Sequence, residues 1–264
     1  MRCTDPLVKA FKRLGYNVIK LPSTEFRSLL LVESDGRHAV RGYGPLERSL
    51  PGSTPLPVVH LDDPAPAIDV RTTNELQGKA AADFLGPVLA AMGASPVVSL
   101  SLGTARSTRI SLRDTRRDWV SMDELATYLE AANTPATNHL RNVALRNELF
   151  VVTAILKSDE FTVLTDRSVA ETIGASVPIT GPVSVSMEAS GKQAKFTSVH
   201  FKGAESLAFA FQAVQLLYED GQYVDYCTAH GLSGFALEGS LTRPVEGMLL
   251  VDDDLVEVPL ESQD

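Results

Sequence analysis

The residue with the most distinctive chemistry in this sequence is a cysteine near the start of the chain. Cys3 precedes a segment with helical punctuation, in which Asp5 is a good N-cap and Pro6 suits the first helical position. A thiol ahead of an amphipathic helix can be S-acylated, which would give the protein a reversible lipid anchor. The alternative is an ordinary free thiol, because free cysteines are usually packed or inert.

A group of arginines is the second candidate for binding chemistry. Its members, which could bind the phosphates of lipid or of nucleic acid, are Arg106, Arg109, Arg113, Arg116 and Arg117. Lipid headgroups are the ligands we expect for them. The alternative is a solvated strand face, because Asp114 and Asp118 are interleaved with the arginines.

Motifs of catalysis and metal binding are missing from the sequence. Gly42-Tyr43-Gly44 begins like a dinucleotide-binding loop, but Pro45 follows directly and the sixth position is Glu47. Ser233 lies outside the spacing of a nucleophile elbow. The five histidines are scattered without metal-ligand spacing, and two distant cysteines make no zinc site. We therefore expect no catalytic residue, no metal and no cofactor.

The C-terminal segment combines acidic residues with short apolar runs. From Pro244 onward it has seven acidic residues and no Lys or Arg. The apolar residues that we expect to dock on the rest of the protein are Met248, Leu249, Leu250, Val251, Leu255, Val256 and Val258. A merely disordered acidic tail has no need of such runs, because low hydrophobicity is what maintains disorder. A docked, removable peptide is one interpretation, and an ordinary C-terminal edge strand is the other.

A segment rich in Gly and Ser, from His230 to Pro244, connects this tail to the rest of the chain. Such segments are accessible to proteases. We expect cleavage near Leu237 or Leu241, because Pro244 makes the bond after Arg243 a poor tryptic site. The predicted division is residues 1–239 as the main domain and residues 240–264 as the removable peptide.

The charge balance limits the classes of partner. The net charge of −9 disfavours nucleic-acid binding, which needs a basic footprint. Residues 1–243 alone carry a net charge of only −2, so losing the tail would ease approach to an anionic membrane. No apolar run approaches the ~20 residues of a spanning helix, and the N-terminus has no signal-peptide core. A cytoplasmic location is therefore expected.

Apolar periodicity predicts an α+β fold in which an antiparallel sheet has helices to one side. Helices are predicted from Asp5 to Gly15, at Glu75–Met92 and after the capping box Ser121-Met122-Asp123-Glu124. The predicted strands are Tyr16–Leu21, Phe26–Glu33, Arg37–Gly42, Ala67–Thr73, Pro96–Leu102 with Thr104–Arg113 as its partner, Leu149–Lys157, Phe161–Asp166, Val183–Ala189 and Lys192–Phe201.

Four regions complete these predictions. We expect Gly44–Pro66 to be a loop and Ser158-Asp159-Glu160 to join two strands. A turn at Gly221 should lead into a further edge segment with Tyr223 and Tyr226. Ser206–Tyr218 fits helical spacing and strand alternation equally, so periodicity leaves both open.

Several segments together resemble the bacterial gasdermins. They are Cys3-Thr4-Asp5-Pro6-Leu7-Val8-Lys9, Leu14-Gly15-Tyr16-Asn17-Val18, Leu21-Pro22, Phe209-Ala210-Phe211-Gln212-Ala213 and the short C-terminal peptide. The resemblance implies a twisted antiparallel sheet with peripheral helices, which would make Phe209–Leu217 a strand. It also implies a C-terminal peptide docked on that sheet and a palmitoyl group on Cys3.

The same resemblance implies an autoinhibited pore former of anti-phage defence. A caspase-like protease would remove the C-terminal peptide, and monomers would then assemble into a homo-oligomeric pore in the inner membrane. The hairpins that we predict at Glu148–Asp166 and Val183–Phe201 are long enough to be extended into membrane-crossing strands of about 9–11 residues. A soluble α+β adaptor that binds an acidic partner is the main alternative, and a hydrolase with an unrecognised site is the weakest.

Overall fold

A computed structural model of the protein describes residues 11, 14–34, 40–66, 68–72, 108–112, 114–132, 135, 137–165, 183–188, 196–219 and 222–226. Cys3, Arg106, Arg113, the cleavage region and the C-terminal peptide lie outside the described residues, as does the predicted helix Glu75–Met92. Within the described ranges, no helix is long and apolar enough to cross a membrane.

Strands dominate the described part of the chain. They are β1 (Asn17–Ser23), β2 (Leu30–Ser34), β3 (Val40–Pro45), β4 (Val59–Pro64), β5 (Ile68–Thr72), β6 (Thr108–Leu112), β7 (Arg116–Val120), β8 (Leu149–Thr165), β9 (Val183–Glu188), β10 (Phe196–Glu219) and β11 (Gln222–Tyr226). The helices are α1 (Leu46–Ser49), α2 (Met122–Glu130) and α3 (Asn138–Leu145).

Two long antiparallel strands, β8 and β10, form the centre of one sheet. Along the outer edge of β8 lie β2, β7 and β6 in turn, and along the outer edge of β10 lie β11, β1 and β9. β3, β4 and β5 add one more strand outside β2, β7 and β6. Every pairing is antiparallel, which confirms the predicted α+β class.

This arrangement divides the sheet into three five-stranded tiers along the central pair. The proximal tier has the order β3-β2-β8-β10-β11, the middle tier β4-β7-β8-β10-β1, and the distal tier β5-β6-β8-β10-β9. We call the proximal and middle tiers together the body. Three short strands therefore lie end to end along β8, and three others lie end to end along β10.

The body is buried on both faces. On one face, Leu125 of α2 and Val143 of α3 pack in a cluster with Val151 of β8 and Leu216 of β10, all four fully buried. On the other face, Phe26 packs against the ring of Phe211, with the ring centroids 5.1 Å apart. A strand covered on both faces needs no polar alternation, which explains the nearly continuous apolar run at the start of β8.

The turn at Gly15 agrees with the glycine signal in the sequence, while most of the helix predicted before it lies outside the described residues. Gly15 has a φ of 79°, a conformation that suits glycine, and the Tyr16 N–H bonds the Phe11 carbonyl at 3.0 Å. Phe11 is fully buried, and its ring centroid lies 5.4 Å from that of Phe209. The chain therefore turns at Gly15 as predicted, and Phe11 packs against β10.

The predicted turn at Ser158-Asp159-Glu160 is wrong, because β8 runs without interruption from Leu149 to Thr165. The Ser158 hydroxyl accepts a hydrogen bond from the Glu160 N–H at 3.1 Å and donates one to the Glu160 carbonyl at 2.7 Å. β10 continues alongside and pairs on both sides of this site. The pairing of β10 with β8 shows that Ser206–Tyr218 is strand, which agrees with the strand that the resemblance implied at Phe209–Leu217.

Other boundaries also differ from the sequence predictions. Gly44–Pro66 is not one loop, since it contains α1 and β4. Both edges of β6 are taken, by β5 and β8, so Pro96–Leu102 is not the partner of Thr108–Leu112. Ser121 does precede α2, but its side chain makes no capping hydrogen bond. Helix α3 was not predicted, although Thr137 caps it through a bond to Leu140 N–H at 3.2 Å.

Candidate functional site

The distal tier brings together segments that are far apart in the sequence. Its strands are Ile68–Thr72, Thr108–Leu112, the last part of β8, the first part of β10, and Val183–Glu188. Their register is regular across all five strands, because each residue of β6 pairs with one of β5 and one of β8. The same regularity continues from β8 through β10 to β9. This regularity fixes which residues share a face.

Two rows of apolar residues cross the distal tier at alternate positions. One row is Ile68, Leu112, Phe161, Phe201 and Val183. The next row on the same face is Val70, Ile110, Val163, Val199 and Val185. A third row, nearest the strand ends, is Thr72, Thr108, Thr165, Thr197 and Met187. One face of this tier is thus apolar over two complete rows.

The intervening rows are polar. Asp69, Ser111, Thr162, His200 and Ser184 form one of them, and Arg71, Arg109, Leu164, Ser198 and Ser186 form the other. Within the first, Thr162 Oγ1 lies 3.3 Å from His200 Nδ1. His200 Nε2 is 3.7 Å and Lys202 Nζ is 3.9 Å from the Glu160 carboxylate. The distal tier is therefore amphipathic, with a hydrogen-bonded and charged opposite face.

An irregularity in β10 separates this tier from the body. Lys202 pairs with Glu160 and Leu207 pairs with Ser158, so residues 203–206 stand opposite Asp159 alone. Such a bulge interrupts the ladder and bends the strand that carries it. The register of β10 on β8 therefore changes between the distal tier and the body.

The structure separates the arginines that the sequence grouped together. Arg109 is exposed on β6 and pairs with Leu164, whereas Arg116 on β7 is exposed and pairs with Lys157. Those two β8 positions are seven residues apart, or about 23 Å at ~3.3 Å per residue. Arg117 lies over the Trp119 ring, with its guanidinium carbon 5.2 Å from the centroid. The described arginines thus occupy two separate places.

Sequence reasoning missed the amphipathic tier as a unit. The alternation at Val183–Glu188 was visible, but five strands from four sequence regions had to be placed in register before their rows appeared. Within the described ranges, no group of three His, Cys, Asp or Glu side chains could hold a metal. The two apolar rows are suited to burial against an apolar partner.

The family model described as "Bacterial Gasdermin Family" matches residues 19–222, well over half of the chain. The protein named Gasdermin bGSDM of a Desulfuromonadales bacterium is 29% identical over 228 residues, covering 84% of this chain and 85% of that protein. The protein named Gasdermin bGSDM of Vitiosangium sp. is 29% identical over 262 residues, covering 97% of this chain and 98% of that protein.

A solved bacterial gasdermin from Bradyrhizobium tropiciagri has the same fold, with a TM-score of 0.59 at 18% identity and 97% of each chain covered. Its likeness agrees with the mostly antiparallel sheet described above. Because the family model spans all three tiers, from β1 to the start of β11, the chain belongs to the bacterial gasdermin family.

Proposed function

We propose that this protein forms membrane pores and that the distal tier is the part that enters the bilayer. The observation that carries the proposal is the pair of apolar rows that crosses five antiparallel strands, with polar rows between them. Membrane-crossing barrels alternate lipid-facing apolar residues with polar residues in the same way. A closed barrel also satisfies every backbone hydrogen bond inside the bilayer.

The distal strands must lengthen to cross a membrane, because they are shorter than membrane-crossing strands. All five have only five or six residues in this tier, whereas a crossing strand needs about 9–11. At the distal ends of the strands, residues 73–107 connect β5 to β6, residues 166–182 follow β8, and residues 189–195 connect β9 to β10. The first of these segments alone is long enough for two additional strand halves and a turn. Extension of the five strands into these segments would supply the missing length.

Autoinhibition is the second part of the proposal. Residues 240–264 dock on the sheet through their apolar residues and hold the protein inactive and monomeric in the cytoplasm. Cleavage between residues 231 and 243 by a caspase-like protease releases them, and the main domain assembles in the inner membrane. The biological setting would be bacterial anti-phage defence, with a palmitoyl group on Cys3 assisting insertion. Intact mass with and without hydroxylamine tests that modification.

Dye leakage from liposomes tests the proposal directly. The test uses an altered chain in which the recognition sequence of a site-specific protease is placed within residues 231–243. The unaltered chain, treated with the same protease, is the control. We expect leakage only after cleavage of the altered chain. If the cleaved protein, verified on a gel, neither binds liposomes nor releases dye, the pore-former proposal fails and a soluble adaptor takes its place.

Two sets of tail variants separate contact from charge. Replacing Leu249, Leu250, Leu255 and Val256 by Ser should give leakage without a protease, because burial of such residues contributes several kcal/mol at about 25 cal/mol per Å². Replacing Asp252, Asp253 and Asp254 by Asn should leave inhibition intact at physiological salt, where exposed charges are screened within ~10 Å. The opposite pair of results would mean that electrostatic repulsion, not docking, holds the protein inactive.

A further inference from the structure

The described ladders of backbone hydrogen bonds all stop at one level of the sheet, beside Asp159 of β8. Between β8 and β10, the pairs on either side of this level are Lys202↔Glu160 and Leu207↔Ser158. On the other strands the flanking pairs are Leu112↔Phe161 and Arg116↔Lys157, Ile68↔Leu112 and Pro64↔Arg116, and Val183↔Phe201 and Ser23↔Ala208. We call the level between these pairs the transverse break. It separates the distal tier from the middle tier.

The backbone is irregular where it crosses the transverse break. Asp114, between β6 and β7, has a φ of 49°, in the left-handed region that most residues avoid. Pro66, between β4 and β5, has no N–H for a ladder bond. The Ala65 N–H donates to the Thr115 carbonyl at 2.9 Å, which links these two connections side by side. Of the described strands, only β8 and β10 run through the break, and β10 is bulged there.

Two groups of charged side chains beside the break each pair within their own tier. On the body side, Lys157 Nζ lies 2.8 Å from Asp118 Oδ1 and 3.0 Å from Asp62 Oδ1. These three residues belong to β8, β7 and β4 of the middle tier. On the distal side, the two basic side chains near the Glu160 carboxylate, at 3.7 and 3.9 Å, both lie on β10 of the distal tier. These ion pairs therefore stabilise each tier and not the junction between them.

The apolar packing is divided in the same way. Ile68 and Leu112 of the distal tier are buried, at 5% and 3% exposure, but neither belongs to the two hydrophobic clusters of the body. On β8 the members of those clusters reach no further than Ile155, and on β10 they begin at Ala208. Both limits lie on the body side of the break. Backbone bonds, charges and apolar contacts therefore all divide the sheet at one level.

We propose that the distal tier is a cooperative unit of its own, which opens at the transverse break while the body stays folded. Proteins open in contiguous units, and the free energy of such an opening lies below that of global unfolding. Both clusters described above lie in the body, so the distal tier is the unit that opens first. Its role rests on the proposed function, because distal strands that lengthen must leave their resting positions while the rest of the fold holds together.

Hydrogen exchange of the uncleaved full chain tests the proposal, with peptides from each tier followed by mass spectrometry. The chain offers a matched pair of mild substitutions, Ile155→Val in the body and Ile68→Val in the distal tier, both at buried positions. We expect Ile155→Val to speed exchange of body peptides about fivefold and to leave distal peptides within about 1.5-fold of the unaltered chain. Ile68→Val should speed exchange of distal peptides about fivefold, which shows that these peptides report on their own tier.

A second pair of variants tests the position of the break. Ser158 and Thr153 are both buried on β8, but Ser158 bonds the Glu160 backbone at the break, whereas Thr153 Oγ1 donates to the Gln212 carbonyl inside the body at 3.5 Å. Ser158→Ala should speed exchange of distal peptides about fivefold and leave body peptides unchanged. Thr153→Ala should leave distal peptides unchanged.

The outcomes separate this proposal from the pore function. Equal acceleration of both tiers by Ile155→Val, or by Ser158→Ala, would mean one cooperative unit and would overturn the proposal. The pore function would stand in that case if the altered chain releases dye after cleavage. If the tiers exchange separately and the cleaved chain releases no dye, the cooperative unit stands and the pore function fails.

Discussion

The body and the distal tier share β8 and β10 but differ in how these strands alternate. In the body, β8 residues 149–156 are all buried, and both faces of the sheet carry a hydrophobic cluster. In the distal tier, complete apolar rows alternate with rows that contain Asp69, Arg71, Arg109 and His200. The same two strands therefore belong to a region of the sheet that is buried on both faces and to a region that has one apolar face.

Together with the proposed function, this difference predicts that stability and membrane activity depend on different tiers. Burial on both faces makes the body the source of folding free energy, since the hydrophobic effect scales with the apolar area removed from water. An amphipathic sheet can exchange its surroundings without losing hydrogen bonds between strands. Substitutions in the body should change unfolding, and substitutions in the distal apolar rows should change leakage.

The largest effect on stability is expected from Phe211→Ala in the body. Phe211 is fully buried against Phe26, so truncation leaves a cavity that costs about 3–5 kcal/mol in the free energy of unfolding. Denaturant unfolding of the uncleaved protein measures it. Val224→Ala at an exposed site should change the same quantity by less than about 0.5 kcal/mol. Equal effects at both positions would contradict the assignment of stability to the body.

The next largest effect concerns adjacent residues of one distal strand. Val199 belongs to an apolar row and Ser198 to a polar one. A lysine on the lipid face costs about 2–4 kcal/mol near the bilayer midplane, so Val199→Lys should reduce leakage after cleavage by at least about tenfold. Ser198→Lys should leave it nearly unchanged. Val185→Lys, in the same row on β9, should repeat the Val199 result, and thermal unfolding identifies any variant that fails to fold.

The smallest effect is a pH dependence confined to the body. Burial raises the pKa of Tyr16 to about 12, against about 10 for a free tyrosine. Between these values the unfolded chain has lost the proton and the folded chain keeps it, so the free energy of unfolding falls as pH rises. One such group contributes at most about 1.4 kcal/mol per pH unit. In Tyr16→Phe, the free energy of unfolding measured with denaturant should fall less steeply with pH above pH 10. Below pH 9 its dependence on pH should be unchanged.

Much of the fold was predictable because its signals are local. The turn at Gly15 and the antiparallel pairing of β9 with β10 are indicated by a few consecutive residues, and both predictions are confirmed. The turn predicted at Ser158-Asp159-Glu160 was wrong for a physical reason. Polar residues that usually break strands are accommodated here by the Ser158 hydroxyl and by the irregular partner strand. Such compensation by a distant segment leaves no trace in the local pattern.

The candidate site was less predictable than the fold. The rows of the distal tier depend on the pairing of Thr108–Leu112 with residues 161–165, which no local pattern specifies. The bulge of β4 at Leu61 and Asp62 was not predicted either, because the Asp62 N–H bonds the carboxylate of Asp118, 56 positions further along the chain. The roles of Cys3, Leu237, Leu241 and Arg243, and of the C-terminal apolar residues, remain predictions from the sequence.

The four residues 203–206 that face Asp159 alone have a consequence for how this chain can vary. A one-residue slip turns every side chain of a regular strand to the opposite face. Here a residue gained or lost can be absorbed at Gly203-Ala204-Glu205-Ser206, so the rows on either side keep their orientation. Insertions and deletions are thus tolerable at this position, whereas elsewhere in β10 they would turn buried side chains to the opposite face. The length of this bulge can change through evolution while the distal rows and the enclosed core keep their sequence.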